Sequence, residues 1–176
     1  MFAGWVNFYL MVGQAAATLI GLLFVIVTLG AALGARFRRM ADVFVTPTLV
    51  HFAAVFVIAM MVLIPDGFRT LALLCLLVGG LSGLAYVIAL GGRVFSSGVL
   101  EPSDYWARLA FVPLPALAYL LIVAGSVMAL AGRPESILCL GAAATILLVV
   151  GIRNAWAMAL FAVVTGTRET DKKKPT

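Results

Sequence analysis

The chain has 176 residues, 64% of them hydrophobic and only 11% charged, and its formal net charge is +5. Soluble domains carry about 25% charged residues. A soluble fold of this size has too much surface to keep so many apolar side chains away from water. The composition therefore excludes a soluble globular domain and predicts an integral membrane protein. The length suits one compact bundle without a separate soluble domain.

The apolar runs predict an all-α bundle of five membrane spans, each near the roughly 20 residues that cross the hydrocarbon core. The first run opens with MFAGWVNFYL, which lacks the basic segment of a secretory signal, so we expect a retained span. Period-two alternation typical of outer-membrane barrels is absent from the sequence. The predicted spans cover residues 5–33, 46–64, 69–92, 105–131 and 135–165, followed by a polar basic tail over 167–176.

Two of these spans carry local signals at their ends. Thr46 can cap the second span and Pro47 suits its first turn, whereas the stretch 65–67, Pro-Asp-Gly, ends it. Before it, the apolar residues of ARFRRMADVF recur at helical spacing and predict a short helix on the membrane surface. Pro113 and Pro115 lie inside the predicted fourth span, where we expect a kink.

The distribution of basic residues predicts the orientation of the bundle. With five spans, the first loop, the third loop and the tail share one side of the membrane. Nine basic residues fall on that side: Arg36, Arg38, Arg39, Arg93, Arg108, Arg168, Lys172, Lys173 and Lys174. The other side has only Arg69 and Arg133. Basic residues are enriched in cytoplasmic loops, so we predict an outside N-terminus and a cytoplasmic C-terminus in a cytoplasmic (inner) membrane. We interpret the positive charge as a topology signal and expect no nucleic-acid partner.

Small residues recur every four positions on three spans and form stripes that let helix backbones approach closely. The stripes are Gly13, Ala17 and Gly21; Cys75, Gly79 and Gly83; and Gly151, Ala155 and Ala159. They are consistent either with contacts inside one bundle or with an interface between subunits, and we predict a homo-oligomer. Cys75 and Cys139 lie in apolar runs without metal-ligand spacing, so we expect core residues, no metal site and no cofactor.

Polar residues inside the spans are candidates for function, because lipid makes them costly unless they are paired. Gln14 and Thr18 lie on one face of the first span. His51, Arg153 and Asn154 are predicted to lie at a similar depth near the cytoplasmic boundary, where they can line a water-accessible vestibule. Alternatively, Arg153 extends to lipid phosphates, His51 is an isolated residue near a helix start, and Asn154 joins two helices.

The sequence favours passive conduction over proton pumping or catalysis. All seven acidic residues fall outside the predicted hydrocarbon core, and the chain has one histidine. Coupled pumps usually need an intramembrane carboxylate, and no HExxH, P-loop or dinucleotide motif is present. We therefore predict a channel or passive transporter for a small ion or solute, an anion in preference to a cation, and no enzyme. The alternative is a non-transporting accessory protein that packs against another membrane complex or binds lipid.

Overall fold

The computed structural model describes residues 3–31, 34–97 and 112–172 of the chain. Nearly all of these residues are helical, with short turns between the helices, and the described part of the chain contains no β-strand. The five long helices are α1 (Val6–Ala31), α2 (Gly34–Val62), α3 (Arg69–Ser97), α4 (Pro113–Leu130) and α5 (Ser136–Lys172). Short 3-10 turns, Ala3–Trp5 and Asp66–Phe68, precede α1 and α3.

All five helices contain a segment that is long and apolar enough to cross a membrane. These segments are Val6–Gly30, Val45–Val62, Arg69–Gly92, Pro113–Leu130 and Ser136–Leu160. The predicted helical class is therefore confirmed, and the described residues contain five helices that are long and apolar enough to span, the number expected from the sequence. Helices are the expected solution because each satisfies its own backbone hydrogen bonds where lipid supplies no partners.

The prolines are placed differently from the sequence prediction. Instead of a surface helix followed by a new start at Pro47, α2 is continuous from Gly34 and contains Pro47 in its interior. In contrast, α4 begins at Pro113, so Pro113 and Pro115 lie in its first turn. A proline there removes no intrahelical hydrogen bond, and the predicted kink depends on residues before Val112 that lie outside the described residues. The predicted start of the fourth span, 105–111, and the tail residues 173–176 lie outside the described residues.

Consecutive helices run antiparallel, and their contacts are unequal. Extensive packing joins α1 to α2, α2 to α5, α5 to α4, and α4 to α3. The contact between α2 and α3 is slight, although these helices are consecutive in the chain. The core lies mainly between α2, α4 and α5, where Leu140, Ala143 and Leu147 are 0% exposed. We call the end at which α1, α3 and α5 begin the amino end, and the opposite end the carboxyl end.

Candidate functional site

Glycines bring the helices together at the centre of the bundle. A Cβ atom added at Gly151 of α5 would lie 2.8 Å from Cζ of Phe52 in α2, which is too close for two carbon atoms. At Gly83 of α3, an added Cβ would lie 2.8 Å from Cζ of Tyr119 in α4. Since Phe52 and Tyr119 are both buried, these two aromatic rings occupy the space that a side chain on either glycine would need.

The central polar contact joins α2 to α4. Nδ1 of His51 and the hydroxyl oxygen of Tyr119 are 3.2 Å apart, within hydrogen-bond distance. Both side chains are only 2% exposed, and their ring centroids are 5.9 Å apart. The contact satisfies one nitrogen of the histidine in a region where an unpaired polar atom is costly.

A cleft lies between α2 and α3 because these two helices diverge while α3 packs on α4. We call it the α2–α3 cleft, and its volume is about 420 Å³. Its walls are Val50, Ala53, Ala54, Val57 and Ile58 from α2 and Cys75, Leu76, Gly79, Gly80, Ser82, Gly83 and Tyr86 from α3. Tyr119 and Ile122 of α4 complete the lining. Val57, Cys75, Gly79 and Ser82 are exposed, so the cleft opens on the side of the bundle that would face lipid.

The polar groups of the cleft are displaced towards its carboxyl end. Tyr86 lies seven residues before Arg93, the first charged residue after the apolar run of α3, and Tyr119 of α4 lines the same cleft. At 1.5 Å per residue, Tyr86 lies about 10 Å along α3 from that charge. Among the described residues, no charged side chain lines the cleft. The α2–α3 cleft is therefore an apolar slot whose hydroxyl groups lie on the apolar segments of α3 and α4.

The residues predicted to line a vestibule do not share one surface in this chain. His51 and Asn154 are each 2% exposed, and Arg153 is partly exposed. Gln14 and Thr18 are exposed on α1, where the Thr18 hydroxyl donates to the Gln14 carbonyl oxygen at 2.9 Å. Two of the five side chains thus lie on the outer surface of the bundle, and the common vestibule stays a prediction.

The small residues predicted at helix interfaces fall into two groups. Gly13, Gly83 and Gly151 are buried against neighbouring helices of the same chain. Gly21 and Gly79 are exposed, and a Cβ added to either would meet no atom within 4 Å. Ala17 is exposed and Ala155 is partly exposed. The first group allows close packing between helices of the bundle, whereas the second lies on exposed helix surface.

Sequence reasoning missed Tyr119, the residue that links the histidine to the cleft. Its ring looks like an ordinary core side chain, and its partner lies 68 positions away in the sequence. One available signal was a phenol in the middle of an apolar span, since a buried tyrosine hydroxyl usually needs a hydrogen-bond partner. Cys75 and Cys139 are free thiols; Cys75 lines the cleft, and Sγ of Cys139 lies 3.9 Å from Sδ of Met128.

Comparisons with known proteins identify no relative from which a function could be transferred. No family model matches the chain, and no curated protein or solved structure shows significant similarity to it. The physical features of the chain are therefore the basis for a functional assignment.

Proposed function

We propose that this multi-pass protein is a non-transporting membrane protein that binds a lipid-soluble molecule in the α2–α3 cleft. The observation that carries the proposal is the cleft itself, an apolar slot of about 420 Å³ that is open towards lipid and closed at its base by Tyr119 and Ile122. Its volume falls within the roughly 300–1,000 Å³ of small-molecule sites, which are likewise mostly apolar with a few polar groups.

The dimensions favour a flexible apolar chain over a transmembrane helix of a partner. A spanning helix is about 10 Å wide and 30 Å long, so its volume is several times that of the cleft. Such a helix could insert only side chains between α2 and α3. Along α2 the cleft extends from Val50 to Ile58, a rise of about 12 Å, which suits several carbon units of an acyl or isoprenoid chain.

The packing of the bundle argues against conduction through a single chain. Leu140, Ala143, Ala144 and Leu147 are all 0% exposed between the helices, and Gln14 lies outside this core. Among the described residues, the interior beside α5 is therefore filled mainly by apolar side chains, which supports a bundle without a water-filled path. The proposal includes no catalytic activity, since the chain has one histidine and its acidic residues lie outside the predicted hydrocarbon core.

The proposed setting is an inner membrane, with the amino end of the bundle outside and the carboxyl end on the cytoplasmic side. The support is the excess of arginine and lysine in the loops and tail predicted to be cytoplasmic. In this orientation the hydroxyl groups of the α2–α3 cleft lie in the cytoplasmic half of the bilayer. Attachment of a membrane-impermeant label to single cysteines placed at each terminus tests the orientation directly.

Filling the cleft tests the proposed function. A leucine side chain at position 79 should occupy the cleft. We therefore expect the purified Gly79→Leu variant to retain at least about tenfold less of the lipid that the wild-type protein enriches. Gly92→Leu is the matched control, because Gly92 is also exposed on α3 with nothing within 4 Å but does not line the cleft. Mass spectrometry of extracted lipids gives the result, and equal retention by Gly79→Leu would overturn the proposal.

A second candidate is passive conduction by a homo-oligomer assembled through α1. The observation in its favour is that Gln14, Ala17, Thr18 and Gly21 share one exposed face of this helix. A polar side chain facing lipid is costly, and small residues permit close helix packing. Chloride flux into liposomes that is lost in Gln14→Leu would support this candidate. Absence of flux from the wild-type protein at high protein-to-lipid ratio would remove it.

A further inference from the structure

We infer that the ligand of the α2–α3 cleft is a prenyl-tailed quinone or quinol whose ring oxygen bonds to the Tyr119–His51 pair. This inference rests on the proposed function, because it names the chemical class of molecule that the cleft binds. Three observations support it: the depth of the polar groups, the absence of charge in the cleft, and the hydrogen-bonding capacity of the pair.

The depth of the polar groups in the cleft favours a neutral ligand over a phospholipid. Tyr86 lies about 10 Å along α3 from Arg93, and His51 lies nine residues after Asp42, the last charged residue before the apolar run of α2, a rise of about 14 Å. A phosphate bound there would lose its hydration, which is very costly for a charge without a counter-ion. No described residue that lines the cleft is charged. The polar group of the ligand must therefore be neutral, and a ring carbonyl or hydroxyl meets that requirement.

The cleft suits a ligand with a polar head at one end and an apolar tail at the other. On the α3 wall, Gly79 presents backbone without a side chain, and an added Cβ would meet no atom within 4 Å. The hydroxyl-bearing residues Ser82, Tyr86 and Tyr119 lie towards the carboxyl end, whereas Cys75 and Ile58 mark the other end of the cleft. A ligand with its ring beside Tyr119 would therefore extend its tail towards the amino end.

The Tyr119–His51 pair can serve both oxidation states of such a ring. If Nδ1 of His51 carries the proton, it donates to the Tyr119 oxygen, and the phenol hydrogen is free to donate to a quinone carbonyl. If Nδ1 is unprotonated, the phenol donates to it and the phenol oxygen can accept from a quinol hydroxyl. The histidine tautomer thus selects between a donor and an acceptor at one position, without any change of charge.

The test uses the full-length protein in nanodiscs and a benzoquinone carrying two isoprene units as the probe. We expect saturable binding to the wild-type protein and about three- to tenfold weaker binding to Tyr119→Phe, the usual effect of one lost hydrogen bond. Tyr9→Phe is the matched control: it also removes a buried phenol hydroxyl, which donates to the Ile137 carbonyl oxygen at 3.0 Å, but Tyr9 does not line the cleft, so its affinity should stay within about twofold.

A second comparison varies the ligand and does not depend on a variant that folds. An isoprenoid hydrocarbon of equal length, with a ring that lacks oxygen, should bind the wild-type protein at least about threefold more weakly than the quinone. Equal affinity for both probes, or unchanged affinity in Tyr119→Phe, would overturn the quinone assignment while leaving the apolar cleft as a lipid site. Full binding of both probes to Gly79→Leu would instead overturn the proposed function.

Discussion

Helix α2 meets α5 and α3 in two different ways, and the contrast explains where this bundle is rigid and where it offers a site. On the α5 side, the Phe52 ring fills the space over Gly151 and leaves no room for a methyl group. Towards α3, Gly79 lies beside open space in the α2–α3 cleft. Gly151 therefore lies in a filled contact between α2 and α5, whereas Gly79 lies beside unfilled space between α2 and α3. In lipid, where packing replaces the hydrophobic drive between helices, the first contact should contribute stability and the second should accept a ligand.

The largest effect is expected from removing the ring at the closed interface. Phe52 is 0% exposed, whereas Phe56, one turn later on α2, is 36% exposed. We expect Phe52→Ala to lower the free energy of unfolding by about 3–5 kcal/mol, the usual result of truncating a buried phenylalanine. Phe56→Ala should cost less than about 1 kcal/mol, since its side chain already faces outwards. Thermal unfolding in detergent, followed by size exclusion, measures both, and equal losses would contradict a closely packed contact between Phe52 and α5.

Adding a methyl group at Gly151 or at Gly79 tests the same contrast by filling space instead of removing a side chain. Gly151→Ala places a Cβ against the buried Phe52 ring, so we expect a loss of about 1–3 kcal/mol from overpacking. Gly79→Ala meets no atom within 4 Å and should leave stability unchanged or raise it by up to about 1 kcal/mol through helix propensity. A destabilised Gly79→Ala would mean that the cleft surface is already occupied by a tightly packed helix.

The number and type of the spans could be predicted from sequence, because lipid forces long apolar runs to be helical. The stripes of small residues were also visible, but four-residue spacing identifies a helix face and not its neighbour. Gly13 and Gly21 share one stripe, yet Gly13 packs on Ala59 and Gly21 faces open space. Which part of α1 is covered depends on how it packs against α2 and α5, and that is a property of the whole bundle.

The candidate site was less accessible to sequence reasoning for a related reason. His51 is the single histidine of the chain, but its sequence position indicates only its depth along its own helix. Tyr119 reaches it from α4, and the cleft beside them arises from the slight contact between α2 and α3. Pairings between helices far apart in sequence have no local signature. Rules based on charge and spacing therefore emphasised Arg153 and Gln14, whereas the structure places a neutral pair beside the cleft.

A smaller effect is expected at the amino end, where α1 contacts α5. The buried Tyr9 hydroxyl donates to the Ile137 carbonyl oxygen at 3.0 Å, and the ring packs edge-on against Phe8 with centroids 5.1 Å apart. Tyr9→Phe keeps the ring and removes the hydrogen bond. Hydrogen bonds between membrane helices contribute about 0.6 kcal/mol on average, so a loss of roughly that size is expected in the same unfolding assay. Tyr86→Phe, on the cleft wall, should change stability less, and a larger loss there would contradict an open α2–α3 cleft.

The smallest effect is expected in the labelling rates of the two native thiols, Cys75 in the α2–α3 cleft and Cys139 in the packed part of the bundle. Cys75 is exposed and lines the cleft, whereas Cys139 is half-buried, with its sulfur 3.9 Å from that of Met128. Since thiol modification depends on access, an apolar maleimide should label Cys75 faster than Cys139 in detergent-solubilised protein. The quinone probe should slow labelling of Cys75 and leave Cys139 unchanged, because only Cys75 lies in the cleft. Peptide mass spectrometry of each single-cysteine variant resolves the two rates. Equal slowing at both thiols would mean that the probe acts on the whole bundle and not in the space between α2 and α3.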